Sequence, residues 1–189
     1  MNIEDTKSGS MIEWVLIILL LCLIYFYRYP KKILRGMDEK FVFSPAYGTI
    51  YDIQRNANDN TLFIAIFLSP LDIHFQFTPI AGVIENIDYD YTGKFELAYD
   101  LNKSRNNEKV ITTIKNSRGV FKVYQIAGYF VRRITNYLQE NTKVQSGEDL
   151  GLIHFGSRVD LIIPNASNFN LLARVGQTVS GSESIIGYY

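Results

Sequence analysis

GLIHFGSRVDLIIP, residues 151–164, alternates apolar and polar side chains in the manner of a β-strand. Ile153, Phe155, Val159 and Leu161 fall on one face, and His154, Arg158 and Asp160 on the other, because successive side chains of a strand point to opposite sides. The same register puts the hydroxyl of Ser157 on the apolar face, directly after Gly156. A glycine inside a strand ordinarily marks a bulge or a close neighbour, so the pair alone leaves a structural and a chemical role both open. A strand of this kind needs a sheet around it.

The flanking chain supplies one. KFVFSPAYGTIYDI (40–53) reads as a strand, a tight turn over 44–48 and a second strand. TLFIAIFL (61–68) is an apolar run short enough to be a buried strand. It leads through Ser69 and Pro70 into DIHFQFTP (72–79), where Ile73, Phe75 and Phe77 alternate with Asp72, His74 and Gln76. That alternation predicts His74 on a polar, solvent-facing side. VYQIAGYFVRRITNYLQE (123–140) carries Ala127, Phe130, Val131, Ile134, Tyr137 and Leu138 at helical spacing and predicts a long amphipathic helix. Arg132 and Arg133 lie off that stripe, as a solvated face or as partners for lipid phosphate or carboxylate. VQSGEDL (144–150) and VSGSESI (179–185) form a loose repeat. It predicts paired C-terminal hairpins packed as a sandwich similar to lipoyl and biotinyl carrier domains. No lysine follows Lys143, which excludes cofactor attachment of that kind.

A chain of 189 residues with 47% hydrophobic content suits one globular domain with a real core. Its 13 Tyr and 12 Phe favour strands. The fold class predicted is α+β and β-rich: a membrane helix, then one domain of antiparallel sheets. Basic and acidic residues balance at 19 each, which gives nucleic acid no electrostatic handle. The single cysteine, Cys22, and two distant histidines, His74 and His154, argue against a disulfide framework or a metal site.

MIEWVLIILLLCLIYFY (11–27) carries one charge, Glu13, and as a helix covers about 25 Å. Trp14 at one end and Tyr25, Phe26 and Tyr27 at the other suit membrane interfaces. Arg28, Lys31, Lys32 and Arg35 follow, which places the downstream domain on the cytoplasmic side. The expected organisation is a polar tail (1–10), a single-pass transmembrane or monotopic anchor (11–27), a basic linker (28–40) and a catalytic domain (41–189).

Read together, several blocks resemble the short-form, pyruvoyl-dependent phosphatidylserine decarboxylases. FYRYP (26–30) is similar to that family's FFRDP, and SPAYG (44–48) to its SPADG. FLSPLDIHFQFTPIAGVI (67–84), YTGKFELA (91–98), NNEK (106–109), QIAGYFVRRI (125–134) and FGSRVDLIIP (155–164) follow in the family's order. The resemblance spans about 26–187.

The resemblance implies a proenzyme that cuts itself between Gly156 and Ser157. Ser157 attacks the Gly156 carbonyl, and the new chain end becomes a covalent pyruvoyl group, a pyruvate derived from Ser157. That group would hold phosphatidylserine as a Schiff base while carbon dioxide leaves, giving phosphatidylethanolamine. His74, at the family's histidine, is implied as proton donor or processing base. Arg132 and Arg133 are candidates for substrate binding. Implied partners are phosphatidylserine, the membrane, and the two cleavage fragments as a heterodimer, with neither nucleic acid nor metal. One departure is plain: Tyr47 stands where the family has the aspartate tied to self-processing, and a phenol with a pKa near 10 is a poor base. Longer family members also carry a second histidine where this chain has Phe77, a histidine that short forms commonly lack as well. The alternative is therefore a non-processing, membrane-tethered lipid-binding or scaffold pseudoenzyme.

Overall fold

Beyond residue 40 the chain is rich in aromatic and β-branched side chains, and these build strands. The computed structural model describes residues 3–93, 106–128, 133–154 and 157–189. A helix, α1 (Ile3–Phe26), comes first. It is followed by β1 (Phe41–Phe43), β2 (Gly48–Asn56), β3 (Thr61–Leu68), β4 (Phe75–Phe77), β5 (Gly82–Asp90) and β6 (Lys109–Asn116). Then come β7 (Gly119–Ala127), β8 (Ile134–Asn136), β9 (Lys143–Val144) and β10 (Asp149–Ile153). The chain ends with β11 (Ser157–Ile163), β12 (Asn170–Leu171), β13 (Thr178–Val179) and β14 (Ile185–Tyr188).

Among the described residues, one eight-stranded antiparallel sheet runs β13-β2-β3-β11-β7-β6-β5-β9. Two three-stranded sheets, β1-β14-β12 and β4-β10-β8, accompany it. The order is palindromic about the β11–β7 pair, and its two sides match in detail. Both β2 and β5 begin at the glycine of a Pro-x-x-Gly turn, SPAYG (44–48) and TPIAG (78–82), and both shift register just after an isoleucine pair, Ile50 with Ile66 and Ile84 with Ile114. Phe43 N–H donates to the Pro79 carbonyl and Phe77 N–H to the Pro45 carbonyl, each at 2.8 Å. Ser182 N–H reaches the Ser44 carbonyl as Gly147 N–H reaches that of Thr78, both at 2.9 Å.

The domain is thus two similar halves. The inner half, β4 to β10, is continuous in the chain. The outer half consists of β1–β3 and β11–β14, and the inner half is inserted between β3 and β11. In the inner half the matching connection, β6 to β7, is a tight hairpin in which Asn116 faces Gly119. In the outer half Leu68 faces Ser157 at the corresponding place. Both halves contribute to one apolar core, including Ile50, Ile66, Ile84, Ile114, Val123, Leu150, Val159, Leu161 and Ile186.

Three expectations are corrected. The segment 123–140 is not a helix in its described parts: Val123–Ala127 belong to β7 and 134–136 to β8. Its Val, Tyr, Ile and Phe content suits strands, and Phe121, Val123 and Gln125 turn inward at period two; both edges of β7 are hydrogen-bonded, to β6 and to β11, and the helical spacing loses to sheet pairing. The repeated stretches VQSGEDL and VSGSESI do not pair as a separate sandwich. They are the β9-turn-β10 and β13-turn-β14 units of the two halves, pairing with β5 and β4, and with β2 and β1, respectively. Finally, no helix among the described residues is long and apolar enough to cross a membrane. Nevertheless, Met11, Trp14, Leu16, Ile18, Leu20, Leu21 and Ile24 on α1 are all strongly exposed.

Candidate active site

Both junctions between the halves meet at one place. One is the segment from β3 to β4, which contains His74; the other leads from β10 to β11, which begins at Ser157. The Ile153 N–H, at the end of β10, donates to the His74 carbonyl at 3.2 Å. Ser157 follows Ile153 by only four residues, a reach of at most about 14 Å. Ser157 also faces Leu68, six residues before His74, in the β3–β11 ladder.

Alternation along β11 places Ser157 with Val159, Leu161 and Ile163 in the core, all fully buried. Its Oγ is buried and has no hydrogen-bond partner among the described residues. Gly156, together with Phe155, lies outside the described residues. Arg158 and Asp160 take the opposite face as expected, yet they too are buried, joined by a two-pronged ion pair at 2.8 and 3.0 Å. Such pairing is what makes two charges tolerable in a dry environment.

His74 departs from expectation. It is fully buried rather than solvent-facing, because Phe26, at the end of α1, packs its ring 4.4 Å from the imidazole. Its Nδ1 lies 2.9 Å from the Asp72 carbonyl, an oxygen that can only accept, so Nδ1 carries the proton and Nε2 is left with a lone pair. Nε2 is the second buried polar atom without a partner at this place. Burial lowers the His74 pKa below the ordinary 6.5, with the Asp72 carbonyl opposing and Arg28 and His154 adding to the decrease. The imidazole is therefore neutral at pH 7 and able to accept a proton.

A buried polar chain holds the His74 backbone in turn. The Gln76 side-chain amide donates to the His74 carbonyl at 2.5 Å and accepts from Gln125 at 2.8 Å. Gln125 accepts from Asn136 at 3.3 Å, and Asn136 donates to Thr112 at 2.8 Å. Gln76 and Gln125 are fully buried. The alternation in 72–79 puts Gln76 on the polar face without marking its burial, and a glutamine within the mostly apolar VYQIA (123–127) is the available signal for Gln125.

Tyr47 sits one residue before Gly48. Gly48 has φ 143°, and a side chain there would strike the Phe67 carbonyl, so the turn is fixed by a residue without a Cβ. The Tyr47 ring meets Phe77 edge-on at 6.3 Å. Burial, and then the Glu183 carboxylate, push the Tyr47 phenol above its usual pKa, so it stays protonated at neutral pH.

His154 lies at the other side of the junction. Its Nδ1 is 2.9 Å from the Tyr27 hydroxyl, and its N–H donates to the Arg133 carbonyl at 2.9 Å. Burial and the Arg133 charge lower its pKa. Arg133 itself is exposed and lines a cavity of about 430 Å³ with Tyr89, Tyr91, Glu108 and Asn136. Arg132 lies outside the described residues. The segment after α1 is tied down across the site: Tyr29 and Lys32 bind the Asp149 carboxylate at 2.6 and 2.7 Å, and Arg35 N–H donates to the Ser146 carbonyl at 2.9 Å.

A buried hydroxyl and a buried neutral imidazole whose Nε2 is unpartnered among the described residues are the kinds of group that serve as nucleophile and base, and both belong to the chain junction. Comparisons with known proteins agree with that chemistry. The phosphatidylserine decarboxylase family profile matches residues 19–187. The phosphatidylserine decarboxylase proenzyme of Chlorobium phaeobacteroides is 37% identical over 171 residues, covering 88% of this chain and 78% of that one. The proenzyme of the same name from Pelodictyon phaeoclathratiforme is 34% identical over 175 residues, 90% and 80% of the two chains. That of Streptomyces griseus is 37% identical over 158 residues, 84% and 70%. No solved structure matches. With its serine at the junction and its relatives aligned across nearly all of its length, the chain belongs to the phosphatidylserine decarboxylase family.

Proposed function

We propose that the chain is made as a proenzyme, cuts itself between Gly156 and Ser157, and then converts phosphatidylserine to phosphatidylethanolamine and carbon dioxide. The observation that carries this reading is that, of three buried side-chain atoms without a partner among the described residues, Ser157 Oγ and His74 Nε2 belong to the junction, the third being Ser146 Oγ in the β9–β10 turn. A buried polar group left without a partner is costly, and such a cost is tolerated where chemistry uses it.

In self-cleavage, Ser157 Oγ attacks the Gly156 carbonyl while His74 accepts the hydroxyl proton, and the amide becomes an ester. Loss of the Ser157 α-proton breaks the ester C–O bond. This frees the Gly156 carboxylate and leaves an enamine on the downstream piece. One water then releases ammonia and leaves a pyruvoyl cap. With Tyr47 protonated and Phe77 apolar, His74 is the base nearest this task in chemical terms. The setting fits the cap: the place is fully buried, on the core face, and no hydrogen bond made by Ser157 Oγ is lost.

When bound, a pyruvoyl group supplies a ketone for the substrate amine and an electron sink for decarboxylation. The rest falls to the chain. His74 returns a proton to the substrate α-carbon, its neutral state making it able to take up and pass on one proton near pH 7. Phe26 and the core strands keep water from the reacting atoms. The apolar, uncovered α1 anchors the domain to the membrane that holds the substrate, and the basic residues after it favour an anionic, cytoplasmic leaflet. The two pieces stay together as a heterodimer, because β11 lies between β3 and β7 and pairs with both along its length.

Intact-mass measurement of the purified full chain tests this directly. Pieces of 156 and 33 residues, from a total of 189, are the expected result, together with carbon dioxide release from dispersed phosphatidylserine. An unbroken, inactive chain after prolonged incubation means the scaffold reading instead.

A further inference from the structure

Beside His74, an apolar groove of about 800 Å³ runs between the C-terminal half of α1 and the Pro70–Leu71 corner. Ile18, Leu21, Ile24 and Tyr25 form one wall, and Pro70 and Leu71 the other. Its one charged lining residue, Arg28, is only partly exposed. Arg28 spans the two walls: Nη1 donates to the Tyr25 carbonyl at 2.6 Å and Nη2 to the Leu71 carbonyl at 2.7 Å. Its guanidinium rests 3.9 Å from the Tyr25 ring centre. Two of five N–H donors are thereby used and no carboxylate is within ion-pair reach among the described residues, which leaves a positive charge and free donors at the groove's end.

Phe26 joins groove and catalytic place. It lines the former and stacks on His74 in the latter. From the buried position 157 outward, the order of chemistry is therefore the place of a carbonyl that an amine would attack, a guanidinium, then an apolar trough formed with an uncovered apolar helix. An aminophospholipid presents the same order: amine, phosphodiester, acyl chain.

We propose that Arg28 binds the phosphodiester of the substrate and that the α1–Leu71 groove takes one acyl chain, so that lipid enters the site sideways from the bilayer along α1. This rests on the decarboxylase reading above. The fixed fork of Arg28 suits a phosphodiester better than a point charge does. Anchoring the chain and the phosphate holds the amine in reach of the reacting carbonyl, the entropic gain of a positioned substrate.

The test uses the full chain with glycerophosphoserine, dihexanoyl and dioctanoyl phosphatidylserine, the lipids kept below their micelle concentrations. In the unaltered chain kcat/KM should rise about tenfold or more from the headgroup alone to the chain-bearing substrates. Arg28→Gln should still self-cleave but raise KM about tenfold or more, with a smaller change in kcat, and Arg28→Lys should recover part of the loss. Leu21→Trp, which fills the groove, should remove most of the chain-length gain. Cys22 lines the groove and is exposed, so its alkylation in the unaltered chain gives a readout independent of variants. Dihexanoyl phosphatidylserine should slow it at least about threefold, a drop that two-thirds occupancy of the groove produces, and glycerophosphoserine should not. A wild-type KM in Arg28→Gln, or Cys22 alkylation unchanged by lipid, overturns the proposal while leaving self-cleavage and decarboxylation standing. Failure of the unaltered chain to cleave removes the enzymatic reading and this one together.

Discussion

The inner and outer halves of the domain share strand order, turn sequence and hydrogen bonds, yet only the outer half is interrupted in the chain. In the inner half β6 turns directly into β7 at Asn116–Gly119. In the outer half the equivalent turn is opened, and the whole inner half is threaded through it. His74 and Ser157 stand on the two sides of that opening. The position of His74 in the inner half corresponds to Lys40 in the outer one: the Ile153 N–H reaches the His74 carbonyl at 3.2 Å as the Tyr189 N–H reaches that of Lys40 at 3.0 Å. His74 is fully buried, whereas Lys40 is exposed. The difference teaches that the chemistry proposed belongs not to the repeated scaffold but to the place where the repeat is interrupted and α1 covers one copy of a shared position.

The sharpest way to break this comparison is Ser157→Ala. It removes the nucleophile and adds no bulk, so the chain should remain a single, folded 189-residue species with no decarboxylase activity; a cleaved product would reject the site outright. Next in size is the pair His74→Ala and Lys40→Ala. The first should slow cleavage and turnover by about 10²–10⁴-fold, the second should leave both within experimental error, and equal effects would show that the halves do not differ as described.

The pH dependence sharpens the role of the imidazole. Burial lowers the His74 pKa, so its neutral form survives to lower pH than that of a free histidine. The midpoint of the fall in cleavage rate with pH should lie below 6.5, the ordinary value. A midpoint above 6.5 would assign the titration to another group. In stability the sign is the same: a histidine buried neutral binds fewer protons folded than unfolded, so stability falls as pH drops below about 6.5.

Smaller effects probe the supports. Gln76→Ala should cost about 1–3 kcal/mol in denaturant unfolding of the Ser157→Ala chain, because the buried Gln125 amide loses its acceptor; the exposed Gln54→Ala serves as the comparison and should change little. Least of all, Tyr47→Phe should leave the cleavage rate nearly unchanged, since its phenol is protonated and does no acid–base work at neutral pH. A large loss would give Tyr47 a role that its aromatic packing does not.

Much of this was legible in the chain. The turn at 44–48, the strand at 61–68 and the inward register of Ser157 all follow from side-chain alternation and turn chemistry, which are local properties. The misplaced helix at 123–140 shows the limit of local reading. Its apolar residues satisfy a helical stripe, but hydrogen-bonding partners on both sides of β7 decide the outcome, and those come from residues 109–116 and 157–162. The duplication was also present, as Pro-x-x-Gly at 45–48 and 79–82, though too short a signature to stand out until the sheet order made it symmetrical.

By itself, then, the sequence determined the family, the serine of the junction, the β-rich class and the apolar N-terminal stretch, because each depends on residue identity or on neighbours a few positions apart. Only the tertiary structure decided that His74 is buried and neutral, that its Nε2 and the Ser157 hydroxyl are both left unpartnered, and that Phe26 and Arg28 belong to the same site as strands far along the chain. Burial and hydrogen-bond satisfaction depend on which distant segments arrive at a position. That information resides in the pairing of β3, β7 and β11 and in the descent of α1 onto the junction, and in no single stretch of residues.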